Sequence, residues 1–235
     1  VTITGGGEPL LYPGLNDFVK VLNRELDIRV GIVTNGTLLN KFENWKDVVW
    51  CRISSGDYRE MDWDGMSKVM LQEHHVDWAF SYVLSRNPNW KSIAYMVSFA
   101  NACQVTHVRM VGNLLDAGSA SSNMGMVKAF LSRQQIDDSK VIYQDRANYV
   151  RGQNKCLISL LKPVVGADGG LYPCCGTQYA KNPPGLDYTE DMRMGWVEDI
   201  KIIWDAQQYF DGSQRDKCYY GLYNEILLGM RQRMT

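Results

Sequence analysis

Two groups of residues in this chain of 235 have the types and spacing to do chemistry. The first is Gly5-Gly6-Gly7-Glu8-Pro9, which directly follows the β-branched stretch "VTIT". Glycine carries no Cβ, so a ligand can approach the backbone closely at such a point. Glu8 adds a carboxylate able to accept from a ligand ammonium, and Pro9 fixes the exit from the turn. The alternative is a strand-to-helix turn in which the glycines serve geometry alone. No G-K-[ST] follows, which counts against a phosphate loop. The second group is Cys156, Cys174, Cys175 and Cys218, four of the chain's six cysteines. Thiolates suit iron–sulfur clusters and zinc. The Gly-Gly pair in "ADGGLYPCC" predicts a hairpin that folds Cys174 back toward Cys156, and Cys218 would come from a distant loop. Spacing alone leaves a cluster, zinc and buried free thiols open. The absence of a C-x-x-C pair counts against an ordinary zinc ribbon.

The elements that must position these groups follow from hydrophobic periodicity. Strands are expected at 1–4, 29–34, 48–54, 77–84 and 106–111, with a sixth at 140–143. Helical spacing predicts helices over 14–24, 59–73, 90–103 and 123–134. Strands alternating with helices of this length imply parallel βαβ units with right-handed crossovers. Either a doubly wound sheet or part of a β/α barrel would satisfy the pattern, and both hold ligands at the C-terminal ends of their strands. From about Asn148 glycines, prolines and cysteines crowd together, a polar loop-rich stretch follows over 176–195, and helices are expected near 198–210 and from 222. The division is therefore expected at 1–147 and 148–235.

Composition narrows the function classes. A chain that is 45% hydrophobic and 22% charged has the makings of an ordinary globular core. With a formal net charge of −1, nothing steers it toward nucleic acid or an anionic membrane. No apolar run is long enough to span a bilayer and no signal peptide is visible. The expectation is a soluble, cytoplasmic protein. Two features read as structural: His74-His75 as a solvated pair at a helix end, and His107 as a core residue of a strand. Cys51 and Cys103 read as buried thiols.

The order of motifs carries a resemblance. "ITGGGEPLLYP", a helix and then "GIVTNGTLL" closely resemble the second and third strands of radical S-adenosylmethionine (SAM) enzymes, and "RISSGD", "YVLSRNP" and "VRMVG" continue the series. "KPVVGADGGLYPCCG" is similar to the start of the SPASM or shorter twitch extension of that family, and the single later Cys218 suits the twitch type. The family's C-x-x-x-C-x-x-C signature is absent, so the resemblance begins at the family's second strand. The expectation is that the first strand and cluster loop lie upstream of this chain, the alternative being a degenerate relative.

The resemblance implies an α/β fold: a partial (β/α)6 radical SAM barrel lacking its first strand, with a small C-terminal iron–sulfur module. It implies SAM as cofactor, with Gly6, Gly7 and Glu8 at the methionine amino group. Arg86 is a candidate for the methionine carboxylate, with a plain surface arginine as the alternative. Ser54 and Ser85, or Asp57, would serve the ribose, unless these serines only cap loops. Backbone at Met110 and Val111 would serve the adenine. An auxiliary 4Fe-4S cluster would be held by Cys156, Cys174 and Cys218, with Cys175 a further candidate. The activity implied is reductive cleavage of SAM to start hydrogen abstraction from a substrate, with a peptide or protein the first expectation, supported by an electron donor. The SAM-ligating cluster would sit on the missing segment, so this chain alone would be inactive. Two other classes remain: a non-catalytic zinc- or cluster-binding interaction module, and an α/β nucleotide-binding protein.

Overall fold

Short runs of β-branched and aromatic residues, each closed by small or polar residues, are what build the sheet. The computed structural model describes residues 1–5, 7–56, 60–113, 117–144, 150–176, 192–213, 215 and 218–233. It divides into two compact units, Val1–Ala147 and Asn148–Thr235.

In the first unit the strands are β1 (Thr2–Ile3), β2 (Val30–Thr34), β3 (Val48–Gly56), β4 (Asp77–Leu84), β5 (Val105–Gly112) and β6 (Val141–Gln144). They form one sheet in chain order, β1-β2-β3-β4-β5-β6, with every neighbouring pair parallel. A doubly wound sheet would reverse its order midway; this one does not. The connecting helices are α1 (Leu15–Lys20), α2 (Trp63–Gln72), α3 (Trp90–Ala102) and α4 (Ala117–Arg133).

Register sorts the strand residues onto two faces of different character. Cys51 pairs with Ile32 and Trp78, Ile53 with Thr34 and Phe80, Phe80 with Val108, and Tyr82 with Met110. All of these are buried. The helices pack on this face: Trp63 of α2 lies 5.7 Å from Phe80, and Phe99 of α3 lies 5.9 Å from it, centroid to centroid. Leu15 and Val19 of α1 and Val127 and Leu131 of α4 belong to the same core. The opposite face carries Gly31, Trp50, Arg52, Ser54, Ala79, Ser81, His107, Arg109 and Val111, and no helix of the core cluster is required to cover it.

Helix extents follow the periodicity with local departures. The helix expected over 14–24 is α-helical only to Lys20 and continues as a π-helical turn, Val21–Glu25. Asp27, at φ 52°, ends it in the left-handed region where short polar residues are tolerated. Arg24 of that turn makes a two-pronged ion pair with Asp47, at 2.9 and 2.8 Å, tying the turn to the start of β3. Asp62 caps α2 by accepting from the Gly65 amide, and Asn89 caps α3 by accepting from the Ser92 amide.

In the second unit, β7 (Val164–Val165) and β8 (Gly170–Tyr172) form the antiparallel hairpin that the Gly-Gly pair predicts, and β9 (Gly195–Trp196) adds a third strand. Gly169 sits at φ 79°, and Asp168 holds the turn by accepting from the Gly170 amide and the Tyr172 hydroxyl. Around this hairpin lie α5 (Ile158–Leu161), α6 (Ile200–Asp205) and α7 (Gly221–Gln232). The helix expected over 198–210 stops at Asp205 because Gln207 is left-handed, at φ 48°, which frees Phe210 to bridge to Cys156. Buried Asn224 anchors α7: its Oδ1 accepts from the Leu157 amide at 2.7 Å and its Nδ2 donates to the Lys155 carbonyl at 2.9 Å. Most of the polar stretch expected over 176–195, residues 177–191, lies outside the described residues.

One glycine is dictated by packing. A Cβ on Gly31 would stand 2.0 Å from the Trp50 indole, which therefore packs directly against the backbone of β2. Gly31→Ala should destabilise the sheet by about 1–3 kcal/mol through overpacking. Urea denaturation is the measurement, and the loss should be smaller when Trp50→Ala is made first, since the two residues share one contact.

Candidate functional site

The C-terminal ends of β1 and β2 are joined by one side chain. The Glu8 carboxylate accepts from the Leu10 amide (3.0 Å) and the Thr34 hydroxyl (2.6 Å) through Oε1, and from the Asn35 amide (2.6 Å) through Oε2. Thr34 passes the order on, its hydroxyl accepting from the Gly36 amide at 3.1 Å. Gly36 turns the chain at φ 82°, and a Cβ there would meet Ile53 at 2.9 Å. Asn35 closes the turn by accepting from the amide and hydroxyl of Thr37. Thus Glu8 is not a bare carboxylate at a strand end. It caps its own following 3-10 turn, Pro9–Leu11, and latches β1 to β2. A carboxylate has about four lone-pair sites, and among the described residues three donors use them, two on Oε1 and one on Oε2.

The neighbouring glycines separate two explanations. Gly6 lies outside the described residues. Neither Gly5 nor Gly7 is left-handed, and among the described residues a Cβ on Gly7 would meet nothing within 4 Å. A Cβ on Gly5 would make only ordinary contacts, at 3.7 Å or more. Turn geometry and packing therefore require neither residue to be glycine, in contrast to Gly31 and Gly36.

The other strand-end residues fall in three places. Ser54 on β3 is half-buried on the helix-free face, beside Ser81 of β4. Val111 is on the same face, paired with Val83 and Gln144, and is buried. Ser85 follows β4 and is half-buried; its carbonyl accepts from Asn123 of α4 at 2.6 Å, so it also secures the β4–α4 approach. Arg86 beside it is exposed. The side chain of Met110 points to the helix-packed core, so only its backbone is available to a ligand. Asp57 lies outside the described residues.

Residues of the helix-free face escape a reading by strand ends. His107 is no core residue: it is half-buried beside Ala79, and its imidazole is held below the usual histidine range, first by burial and then by the charges of Arg52 and Arg109. The signal was present in "THVRMV", where His107 and Arg109 stand at alternate positions of a strand, and in the lone Arg52 of "WCRIS". Cys51 on the other face is fully buried; burial, then the charge of Glu8, pushes its thiol far up. Cys103 is only half-buried, unlike the expected core thiol.

In the second unit the cysteines are free thiols, with Cys156, Cys174 and Cys218 buried and Cys175 half-buried. Two lie on isolated antiparallel bridges that draw distant segments together: the Cys156 amide donates to the Phe210 carbonyl at 3.1 Å, and the Cys218 amide to the Val150 carbonyl at 2.8 Å. Cys156 and Cys174 share an apolar cluster with Ile158, Phe210, Tyr220 and Leu227. Burial raises the Cys156 thiol, and the neighbouring Cys174 and Cys218 add to the shift. Burial also raises Cys174, against an opposing effect of buried Arg215. The Sγ of Cys175 lies 3.0 Å from the Tyr220 hydroxyl. Among the described residues, no three His, Cys, Asp or Glu side chains assemble as a metal-binding group. The expected ligand set Cys156, Cys174, Cys175 and Cys218 is therefore not assembled as a metal-binding group; Cys175 lies against Tyr220, and Cys156 and Cys174 lie in an apolar cluster.

A singly wound, all-parallel α/β sheet followed by a small antiparallel unit is the class that this arrangement defines. No protein-family model and no curated protein matches the chain. Among solved structures, the fold is similar to that of Streptococcus suis SuiB bound to S-adenosylmethionine, at 15% sequence identity and a TM-score of 0.55. The match covers 87% of this chain and 53% of SuiB, so the chain spans about half the length of that protein. The likeness is one of fold. Among the described residues no helix is long and apolar enough to cross a membrane.

The raised thiols make a measurable difference. In the metal-free chain Cys156 and Cys174 remain protonated at pH values where an ordinary thiol has begun to ionise, and thiolate is the reactive form. Brief iodoacetamide treatment at pH 8, read by peptide mass spectrometry, should label half-buried Cys103 and Cys175 before Cys156 and Cys174. Equal labelling of all four would show that the buried thiols are open to solvent.

Proposed function

We propose that this chain is the SAM-binding part of a radical SAM enzyme. The observation that carries the reading is the combination at the end of β1: Gly5 and Gly7 are glycines that the fold does not need, next to a carboxylate held in place by Thr34 and Asn35. Glycines free of any structural duty leave backbone open to a ligand, and a fixed carboxylate suits the ammonium of a methionine moiety. The series of strand-end motifs and the likeness in fold to a protein bound to SAM support the same reading.

In this reading the helix-free face of the sheet is the inner wall of a partial barrel, and ligands lie at the C-terminal strand ends as they do in β/α barrels generally. Gly7 and the undescribed Gly6 offer backbone groups, and Glu8 orients the amino group. Ser54 and Ser85 offer hydroxyls to the ribose, Arg86 a guanidinium to the carboxylate, and Val111 an apolar wall and backbone groups to the adenine. Bound SAM would supply the radical chemistry, while this chain's residues hold and orient it and exclude water. The substrate would be a peptide or protein.

An auxiliary iron–sulfur cluster in the second unit is the narrower half of the proposal. Its support is the resemblance of the "ADGGLYPCC" segment and the effect of the neighbouring Cys174 and Cys218 on the Cys156 thiol. The thiols as they stand do not form a ligand set, so cluster binding would require them to rearrange, and no step of the chemistry is routed through it.

Two measurements separate these halves. Gly7→Ala adds a Cβ that meets nothing within 4 Å among the described residues, so it should leave the melting temperature unchanged while blocking close approach to the backbone and weakening SAM binding about tenfold or more in calorimetry. Equal affinity of the variant and the unaltered chain would remove the glycine-rich turn from the site. Anaerobic reconstitution should give a brown protein with about four irons, reduced by Cys156→Ala; a colourless protein would dispose of the cluster without touching the SAM reading.

A further inference from the structure

The second unit carries an open cleft between α5 and α7 that the SAM reading does not use. A cavity of about 300 Å³ lies there, with an apolar lining of Ile158, Tyr220, Tyr223, Ile226 and Leu227. That volume is at the lower end for a ligand site, with room for one large side chain rather than a cofactor. Buried Ile158 forms the floor, where it shares the apolar cluster of Cys156 and Cys174; Tyr220 and Leu227 pack against the same cluster. Tyr223 and Ile226 stand at the rim, 56% and 59% exposed. Leu161 of α5 and Met230 of α7 are exposed as well, so apolar surface continues along both helices.

The charge beside the cleft is of one sign. Ile158 and Leu227 are each followed, four residues on, by a cation, Lys162 and Arg231. The Lys162 ammonium lies over the Tyr220 ring, 5.4 Å from its centroid. Arg231 is held by neutral groups, donating to the Tyr209 hydroxyl and, at 3.1 Å, to Gln207. Among the described residues neither cation is paired with a carboxylate. Helix α5 has no acidic residue, and α7 has only Glu225, which accepts from Gln153 at 3.1 Å. Both cations are exposed and hydrated, so the fold does not need an anion there. What they supply is selection, by attracting acidic partners on approach and repelling basic ones.

We propose that this cleft binds an acidic peptide, taking one apolar side chain into the cavity while carboxylates on either side of it meet Lys162 and Arg231. The buried anchor supplies the affinity and the cations supply the choice of partner. A second copy of the chain fits worse, because a two-fold contact through this surface would set cations against cations. A membrane fits worse because a bilayer covers an apolar face that protrudes, whereas Ile158 lies at the bottom of a cavity and is reached only by an inserted group. The proposal shares with the SAM reading only the expectation of a peptide substrate. Binding is measured without SAM, so the two fail separately.

The test uses the full chain and fluorescein-labelled peptides Asp-Glu-X-Glu-Asp, with X as Leu, Met, Phe or Trp. Their anisotropy should rise and saturate as the protein is added. The same peptide with X as Ser, and the series with Lys in place of every acidic residue, should bind about tenfold more weakly or worse. Ile226→Glu places a carboxylate at the rim and should weaken the best peptide about tenfold or more. Lys162→Gln should weaken it about threefold and flatten its salt dependence. Leu71→Glu, at an exposed apolar position of α2 in the first unit, should change nothing. Saturation by none of the four peptides would overturn the proposal, as would equal binding of the Ser peptide or unaltered binding by an Ile226→Glu variant whose melting curve shows it folded. Capture of phosphatidylserine vesicles that the peptides do not compete away would assign the cleft to a membrane instead. Self-association that Ile226→Glu abolishes and no peptide displaces would assign it to a second copy. Either result overturns the peptide site.

Discussion

A parallel sheet whose strands follow one another in chain order, each joined to the next by a right-handed crossover, must carry all its helices on one side. The strands of the first unit follow chain order from β1 to β6, with helices packed on one face, and much else follows from it. One face has to be apolar enough to hold four helices, hence the unbroken buried series through Ile32, Cys51, Ile53, Phe80, Val108 and Met110. The other face is released from that duty. It can carry arginines, a histidine and serines at strand positions where a doubly covered sheet would require valine and isoleucine.

Within that frame the strand ends are fixed by polar side chains rather than by more apolar burial. Glu8 reaches across from the end of β1 to Thr34 and Asn35 at the end of β2, and Thr34 in turn fixes Gly36. Hydrogen bonds to an ionised carboxylate are among the stronger ones available, on the order of 1.5–3 kcal/mol each. The short two-residue β1 therefore gains a second attachment besides its pairing with β2. Such a latch also fixes the Glu8 carboxylate in place, which is the property a binding group needs.

The second unit solves a different problem. Its strands are two or three residues long, too short to carry a core by themselves. Order comes from point contacts between segments far apart in sequence: Asn224 to Leu157 and Lys155, Cys218 to Val150, and Cys156 to Phe210. Cysteines occupy two of these bridges. Their burial as thiols is compatible with simple packing.

The sequence by itself determined the strands and most of the helices, because period-2 and period-3.6 patterns are local and each segment carries its own. The hairpin at Gly169 was legible for the same reason: a left-handed turn residue announces itself as glycine. The Gly-Gly-Gly-Glu-Pro turn was legible as a candidate site, yet only the tertiary structure distinguished glycines that packing requires, at Gly31 and Gly36, from those at Gly5 and Gly7 that it does not. Strand order, too, had to come from the structure, since alternating strands and helices fit a doubly wound and a singly wound sheet equally well. Register decided the rest. It brought Arg52, His107 and Arg109 onto one face across three strands, and it turned a histidine expected in the core toward two guanidinium groups. A pattern read along one strand states which residues alternate; which of them meet is settled by the neighbouring strands, because those contacts join residues far apart in the chain.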